Sequence, residues 1–185
     1  MKLNNKGFTL VELLVMLVVL GILMAITVPN ITGILNQTKN NVLIEDVTKM
    51  VETAKTKIAT KSNISNPQKD KCLVFTLEYL NDSDEFKKGP NDGKYDFYDS
   101  FVIVKRVDNK FEYYVRLVEH AKEGDYGVEK AEYKAFKKKY SDFVGPVTTK
   151  VGLEDVTELS EVAGLSIINS YCSGSDSIQG FYKEA

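Results

Sequence analysis

The sequence contains few histidines and cysteines, side chains that many catalytic and metal sites use. His120 is the only histidine among the 185 residues. A Ser-His-Asp triad or a His-centred metal cluster therefore has no support beyond one side chain, and a structural histidine at the surface is the simpler interpretation. The patterns GxxxxGK[ST], GxSxG and GxGxxG are absent, so no motif indicates nucleotide or cofactor binding. We expect no enzymatic activity and no cofactor.

An excess of positive charge is also lacking. Lys and Arg total 24 against 26 for Asp and Glu, which gives a formal net charge of -2. Such a balance provides no electrostatic footprint for duplex nucleic acid, so we expect no nucleic-acid partner. The run of three lysines at residues 137–139 is interpreted as a solvated helix face.

Cysteine is scarce as well. Cys72 and Cys172 are too far apart in the sequence for a CxxC redox motif or a zinc ribbon. One disulfide between them fits a domain outside the cytoplasm, and two buried free thiols fit the sequence as well. Residues 82–99 are acidic and could offer oxygen ligands to calcium, but their spacing is not that of an EF-hand loop. We interpret them as a solvated loop and expect no metal site.

One long apolar run stands out at the N-terminus. Residues 1–7 read MKLNNKG, and residues 8–28 follow with Glu12 as their only ionisable side chain. A helix of these 21 residues, at about 1.5 Å per residue, spans a hydrocarbon core of about 30 Å. The lysines before the run place the leader in the cytoplasm and the rest of the chain outside, by the positive-inside rule.

Two ordinary explanations compete for this segment. A secretory signal peptide has an apolar region of about 7 to 15 residues and an A-x-A cleavage pattern, neither of which fits here. A simple uncleaved anchor stays open. Neither explanation accounts for Glu12, because an acidic residue costs about 2.5 to 3.5 kcal/mol at the bilayer centre and less near its surface. The carboxylate needs a partner.

The letters GFTLVE at residues 7–12, after a basic leader and before an apolar helix, closely resemble the class III signal of type IV pilins and of pseudopilins. The resemblance implies that a prepilin peptidase cuts between Gly7 and Phe8, that Phe8 becomes the N-methylated N-terminus, and that Glu12 is needed for assembly. It also implies other copies of the subunit, the pilus assembly machinery and the cytoplasmic membrane as partners. Together with the Lys- and Asn-rich composition, it favours a low-GC Gram-positive bacterium as the source.

The spacing of Phe8 and Glu12 has a physical interpretation of its own. After cleavage Phe8 would carry a protonatable α-amino group in an apolar setting. Glu12 lies one helical turn further, so a neighbouring subunit displaced along the axis could set its amine beside this carboxylate. Pairing two charges that would otherwise be buried alone would fix the axial register between subunits.

Beyond the apolar run the pattern changes at Pro29, which lacks an amide proton and predicts a helix kink or local unwinding. Residues 29–61 are predicted to continue the helix in amphipathic form. Their apolar stripe recurs at three- and four-residue spacing and is expected to pack on a globular head; its members are Leu43, Val47, Met50, Val51, Ala54 and Ile58. The letters NISNP at residues 63–67 end the helix.

The head is predicted from weaker signals. Residues 72–80 fit a strand or a short helix, and residues 76–80 resemble the short second helix of many pilin-like heads. Two β-rich runs, 100–107 and 110–118, are joined by Asp108-Asn109 and predict an antiparallel hairpin whose inner face covers the long helix. Residues 131–144 fit a helix or a strand and favour a helix. A short helix is expected near 153–162, and a turn near 173–177.

These observations predict an α+β pilin fold: a long N-terminal helix, its hydrophobic half protruding, packed on an antiparallel sheet with additional short helices. The expected segments are a cleaved leader (1–7), a transmembrane and polymerisation helix (8–28), its amphipathic continuation (29–61) and the head (62–185). The expected function is a structural subunit of a type IV pilus. A pseudopilin of a secretion or competence system and a membrane-tethered binding domain are the alternatives.

Overall fold

The computed structural model describes residues 9–82, 84–86, 88–172 and 177–184, with the side chains of 26–30 and 32 left outside the description. The chain divides into two compact units, Met1–Lys39 and Asn40–Ala185. The predicted cleavage residues, Gly7 and Phe8, lie outside the described residues.

Helix α1 (Leu10–Thr60) is the first element. It ends where the Lys61 amide donates to the Lys57 carbonyl at 3.0 Å, just before the turn-forming residues 62–67. The backbone is helical through position 29. Because the side chain of Pro29 is outside the description, the predicted kink stays a prediction.

The remaining elements alternate strands with short helices. The strands are β1 (Cys72–Thr76), β2 (Lys94–Tyr95), β3 (Phe101–Val107), β4 (Lys110–Ala121), β5 (Gly124–Glu132), β6 (Val144–Pro146) and β7 (Ile178–Tyr182). The short helices are α2 (Leu77–Leu80), α3 (Tyr133–Lys138), α4 (Leu159–Gly164) and α5 (Ser166–Asn169), with a 3-10 turn at Tyr140–Asp142. The predicted α+β, pilin-like arrangement is confirmed.

The strands form one sheet in the order β6-β5-β4-β3-β1-β7, with β2 paired to β4 beside this path. All pairs are antiparallel except β1 with β7. The predicted hairpin is present as β3 and β4, with Val107 opposite Lys110 across the two-residue turn. Asp108 in that turn has a φ of 52°, which Asp tolerates better than most residues.

One face of the sheet packs on the amphipathic part of α1. Leu43, Val47, Met50, Val51 and Ala54 are all fully buried and share a core with alternate residues of the strands. Those strand residues include Leu73, Phe75, Val102, Val104, Val115 and Leu117. The three- and four-residue spacing of the helix stripe and the two-residue spacing of the strands thus meet in one core.

The opposite face of the sheet is also covered, which the sequence analysis did not anticipate. The intervening residues of β1 and β3, such as Val74 and Ile103, are fully buried. They form a second core with Leu153, Val162 and Ile168 from the C-terminal region. Unbroken apolar runs such as LVF and FVIV are typical of strands buried on both faces, and here they accommodate two covering layers.

Two helix predictions for the C-terminal third need correction. The helix predicted over 131–144 is wrong for most of that range: only Tyr133–Lys138 is α-helical, because residues up to Glu132 pair in β5 and 144–146 pair in β6. The helix predicted near 153–162 begins at Leu159 instead, where the Glu161 carboxylate accepts from the Glu158 amide at 3.2 Å. The predicted turn near 173–177 lies mostly outside the described residues.

A disulfide links two residues of the second core that are distant in the sequence. Cys72 begins β1 and Cys172 follows α5; their Cα atoms are 6.0 Å apart, and the bond closes a separation of 100 residues. Both cysteines are fully buried. The bond therefore ties the C-terminal layer to β1, the strand that contributes side chains to both cores.

Replacing both cysteines, Cys72→Ser with Cys172→Ser, is expected to lower the free energy of unfolding by about 2 to 5 kcal/mol, because the unfolded chain regains the entropy of a long loop. Urea unfolding of the detergent-solubilised full chain, followed by tyrosine fluorescence, measures this change. Reductant should shift the wild-type midpoint to that of the double variant and leave the variant unmoved. A wild-type midpoint unaffected by reductant would show that the bond does not form.

Candidate functional site

The N-terminal part of α1 carries a continuous apolar surface. Every large apolar side chain described between residues 10 and 24 is at least 48% exposed within this chain, and Ile31, Ile34 and Leu35 extend the surface. Soluble monomers rarely expose apolar patches of more than a few hundred square ångströms, and larger ones mark sites of interaction. This surface is the strongest functional feature of the molecule.

Over the described residues, no helix combines the length and the hydropathy that a membrane crossing requires.

Thr9 and Glu12 form a reciprocal capping box at the start of α1. The Thr9 amide and hydroxyl both donate to Glu12 Oε2 at 2.8 Å, and the Glu12 amide donates to Thr9 Oγ1 at 3.3 Å. The T-x-x-E spacing therefore satisfies amide donors that the first helical turn leaves without partners. Glu12 is itself exposed, so the carboxylate that caps the helix is also accessible to a cation from another molecule.

Among the residues that the structure describes, no group of three or more His, Cys, Asp or Glu side chains is placed to hold a metal ion. A cleft of about 460 Å³ is open and lies between Lys130, Phe143, Thr149 and Ile167. Its polar lining is already engaged in part, since the Glu129 carboxylate accepts from the Thr149 amide at 3.0 Å.

Arg116 is a buried charge that sequence reasoning missed. It lies on β4 with only 1% of its surface exposed, and its guanidinium donates to the carbonyls of Asp99 at 2.9 Å, Glu129 at 3.2 Å and Thr149. The Asp99 carboxylate in turn accepts from the Val151 amide at 2.9 Å. The planar fork of arginine suits such multiple acceptors, and the network holds the 149–151 segment against the sheet.

Glu119 is a second buried charge with a structural task. Its fully buried carboxylate accepts from the amides of Asn91 and Gly93 at 2.7 and 2.9 Å and from Asn91 Nδ2 at 2.9 Å. A Cβ atom at Gly89 would approach Glu119 Cδ to 2.2 Å. The loop therefore needs glycine there to close over the carboxylate.

His120 bridges two carboxylates at the surface. Its Nδ1 lies 2.6 Å from Asp125 Oδ1 and its Nε2 lies 2.9 Å from Asp96 Oδ2, with the ring half-exposed. The hydrogen bond to Asp125 is the largest cause that raises the pKa of His120, and Asp96 adds to it against partial burial. The protonated ring donates to both carboxylates, whereas a neutral ring has only one N–H to give.

The comparisons with known proteins bear on the N-terminal segment. The family model described as the prokaryotic N-terminal methylation motif matches residues 2–28, a range that contains Gly7, Phe8 and Glu12. The chain thus carries a type IV pilin-like class III signal peptide, as the sequence predicted. Comparison with curated proteins and with solved structures gave no match. The predicted Gram-positive origin has no support from these findings.

The bridge at His120 predicts a pH-dependent contribution to stability. Because the folded pKa lies above the unfolded value of about 6.5, the stabilisation is fully present below that value and is lost as pH rises through the folded pKa. The variant His120→Gln should be less stable than wild type at pH 5.5, by about 1 kcal/mol or less for so exposed a pair. The difference should shrink at pH 9. Urea unfolding at both pH values measures it, and a difference that does not change with pH would contradict the bridge.

Proposed function

We propose that the chain is a structural subunit of a type IV pilus, polymerised through its N-terminal helix into a surface filament that serves motility, adhesion or biofilm formation. The observation that carries the proposal is the coincidence of the methylation motif at residues 2–28 with the exposed apolar surface of α1. A processing signal joined directly to an uncovered helix is what a polymerising subunit needs. The chain has no catalytic role in this account.

Processing precedes assembly. Prepilin peptidase cuts between Gly7 and Phe8 at the cytoplasmic side, and Phe8 is then N-methylated. Before assembly, residues 8–28 hold the subunit in the membrane, with the leader inside and the head outside. The disulfide between Cys72 and Cys172 supports an extracytoplasmic head, because such bonds persist in oxidising environments and are rare in the cytosol.

The same apolar helix then changes neighbours. In the membrane, lipid chains cover its side chains; in the filament, the helices of other copies cover them. The exchange keeps the apolar surface out of water at every stage. Assembly therefore costs little hydrophobic free energy, and specific contacts must select the register between copies.

Glu12 supplies that specific contact. In the free chain its carboxylate is satisfied by Thr9, and in the filament it faces the α-amino group of Phe8 from a neighbouring copy. Burying either charge alone is costly, so the pair forms only where the two subunits are displaced by the correct distance. The capping box keeps the carboxylate at the end of the helix until the partner arrives.

The matched pair Glu12→Gln and Glu12→Ala tests this role. Glutamine retains the capping box but removes the charge, whereas alanine removes both. Both variants should be processed and inserted normally, and both should lose most surface filaments in electron microscopy of cells. If filaments persist in Glu12→Gln and are lost only in Glu12→Ala, then capping and not charge pairing is what assembly requires.

The wild-type chain is the reference in the same experiment. Cells that express it should carry long surface fibres, and cells without the gene should lack them. Short fibres confined to the cell envelope would instead indicate a pseudopilin. A processed subunit that never forms fibres would contradict the proposal and favour a membrane-tethered binding domain.

A further inference from the structure

A small cavity with aromatic walls lies in the head beside β2. Its volume is about 230 Å³, and the residues that line it are Asp84, Phe86, Lys94, Tyr95 and Phe97. We call it the aromatic cavity. Sites for drug-sized ligands usually measure about 300 to 1,000 Å³, so this cavity has room for a compact chemical group and not for a large cofactor.

The aromatic walls are held in place by the surrounding fold. Phe86 has only 2% of its surface exposed and packs in the core with α1. Tyr95 lies in β2 and donates its hydroxyl hydrogen to Asp46 Oδ2 at 2.5 Å. The Phe97 carbonyl accepts from the Glu78 amide at 3.0 Å. Because the protein already holds these residues, a ligand does not have to order them, which lowers the cost of binding.

Two opposite charges lie on the solvent side of the aromatic cavity. Asp84 and Lys94 are exposed, whereas Phe86 and Tyr95 are buried and Phe97 is half-buried. The backbone of Lys94 is held by the pairing of β2 with β4. A ligand that places one end among the rings therefore meets a carboxylate and an ammonium group where it reaches the solvent.

The occupant that suits these walls is a quaternary ammonium group, because aromatic faces attract cations and such groups need no hydrogen-bond acceptors. A primary ammonium has three N–H donors, and leaving them without acceptors against an apolar wall is costly. The lining offers few acceptors, since the Tyr95 hydroxyl is engaged with Asp46 and Asp84 lies on the solvent side. A trimethylammonium group instead presents methyl groups to the rings.

One of these rings already has a cation near it in this structure. Lys49 Nζ lies 5.6 Å from the centre of the Phe86 ring and 2.7 Å from Glu85 Oε2. Lys49 does not line the aromatic cavity. The Glu85 carboxylate offsets the charge of Lys49, so this contact leaves the cavity open to a second cation.

We propose that the aromatic cavity binds phosphocholine, with the trimethylammonium group among Phe86, Tyr95 and Phe97 and the phosphate toward Lys94. Asp84 complements the cation, and the Lys94 ammonium complements the phosphate through a charge-assisted hydrogen bond. Phosphocholine occurs both in lipid headgroups and in soluble or polymer-borne choline esters. The site goes beyond the proposed filament and does not depend on polymerisation.

A ligand series titrated into the full chain tests the site. The chain is held in nanodiscs of phosphatidylglycerol, which cover its apolar surface and contain no choline. Isothermal titration calorimetry should show saturable binding of phosphocholine and binding of phosphoethanolamine that is roughly fivefold weaker or more. Choline should bind more tightly, by a similar factor, than its neutral isostere in which carbon replaces nitrogen.

These titrations can also overturn the proposal with the wild-type chain alone. One contradicting result is the absence of saturable phosphocholine binding up to about 20 mM. Another is equal binding of choline and its neutral isostere, which would show an apolar cavity without preference for a cation. Neither result would affect the filament proposal.

A matched pair of variants at Phe97 tests the aromatic wall. Phe97→Leu keeps an apolar side chain but removes the ring, so phosphocholine binding should weaken roughly fivefold or more. Phe97→Tyr keeps the ring and should bind within about twofold of wild type. Urea midpoints equal to that of wild type show that both heads fold. Wild-type binding by a folded Phe97→Leu chain would contradict the assignment.

A second pair tests the phosphate end. Lys94→Gln should weaken phosphocholine binding roughly threefold and leave choline binding unchanged, because only the phosphate contacts this ammonium group. The control Lys110→Gln removes an exposed charge that does not line the cavity and should change neither. Equal weakening of both ligands by Lys94→Gln would contradict the proposed orientation.

Sedimentation with vesicles distinguishes the two sources of phosphocholine. If the group is recognised on a lipid surface, the nanodisc-held chain should sediment with phosphatidylcholine vesicles and not with phosphatidylglycerol vesicles, and free phosphocholine should release it. Binding of free phosphocholine without sedimentation indicates a soluble or polymer-borne choline ester. Both results support the site. Equal sedimentation with both vesicles that free phosphocholine does not reverse would count against it.

Discussion

Covering the apolar surface of residues 10–24 is the constraint on which the rest of this structure depends. Every large apolar side chain described between residues 10 and 24 is at least 48% exposed within this chain, and water is an unfavourable environment for so much apolar area. A lipid bilayer and a bundle of identical helices are the two environments that satisfy it. The methylation motif at residues 2–28 fits the proposed order of these environments, with the membrane before processing and the polymer after it.

The head differs from the N-terminal part of α1, because its apolar side chains are buried within the chain itself. The sheet is covered by α1 on one face and by the C-terminal layer on the other, and the Cys72–Cys172 bond ties the second layer down. Arg116 and Glu119 fix two loops to the sheet through backbone groups. Of the large apolar side chains described in the head, Phe111 and Leu159 are exposed, at 41% each, whereas the rest of the described core is covered from within the chain.

Local signals in the sequence predicted the elements that depend on local chemistry. The amphipathic stripe of residues 43–58 and the β3–β4 hairpin with its Asp108-Asn109 turn both have short-range patterns. The short helix α2 was indicated by the resemblance of residues 76–80 to pilin-like heads, since residues 72–80 by themselves fitted a strand as well. Strand β7 was not predicted, because it pairs in parallel with β1, about a hundred residues earlier. The roles of Arg116 and Glu119 depend on loops that only the folded sheet brings near. In the candidate site, the GFTLVE pattern indicated Gly7, Phe8 and Glu12 directly.

A structure of the surface filament by electron cryomicroscopy tests the central claim most directly, since it shows what covers α1. The account predicts a helical polymer in which residues 10–24 of each subunit are buried against the same residues of neighbouring copies, with Glu12 within ion-pair distance of a Phe8 amine. A filament joined only by its heads, with residues 10–24 facing solvent or detergent, would contradict it.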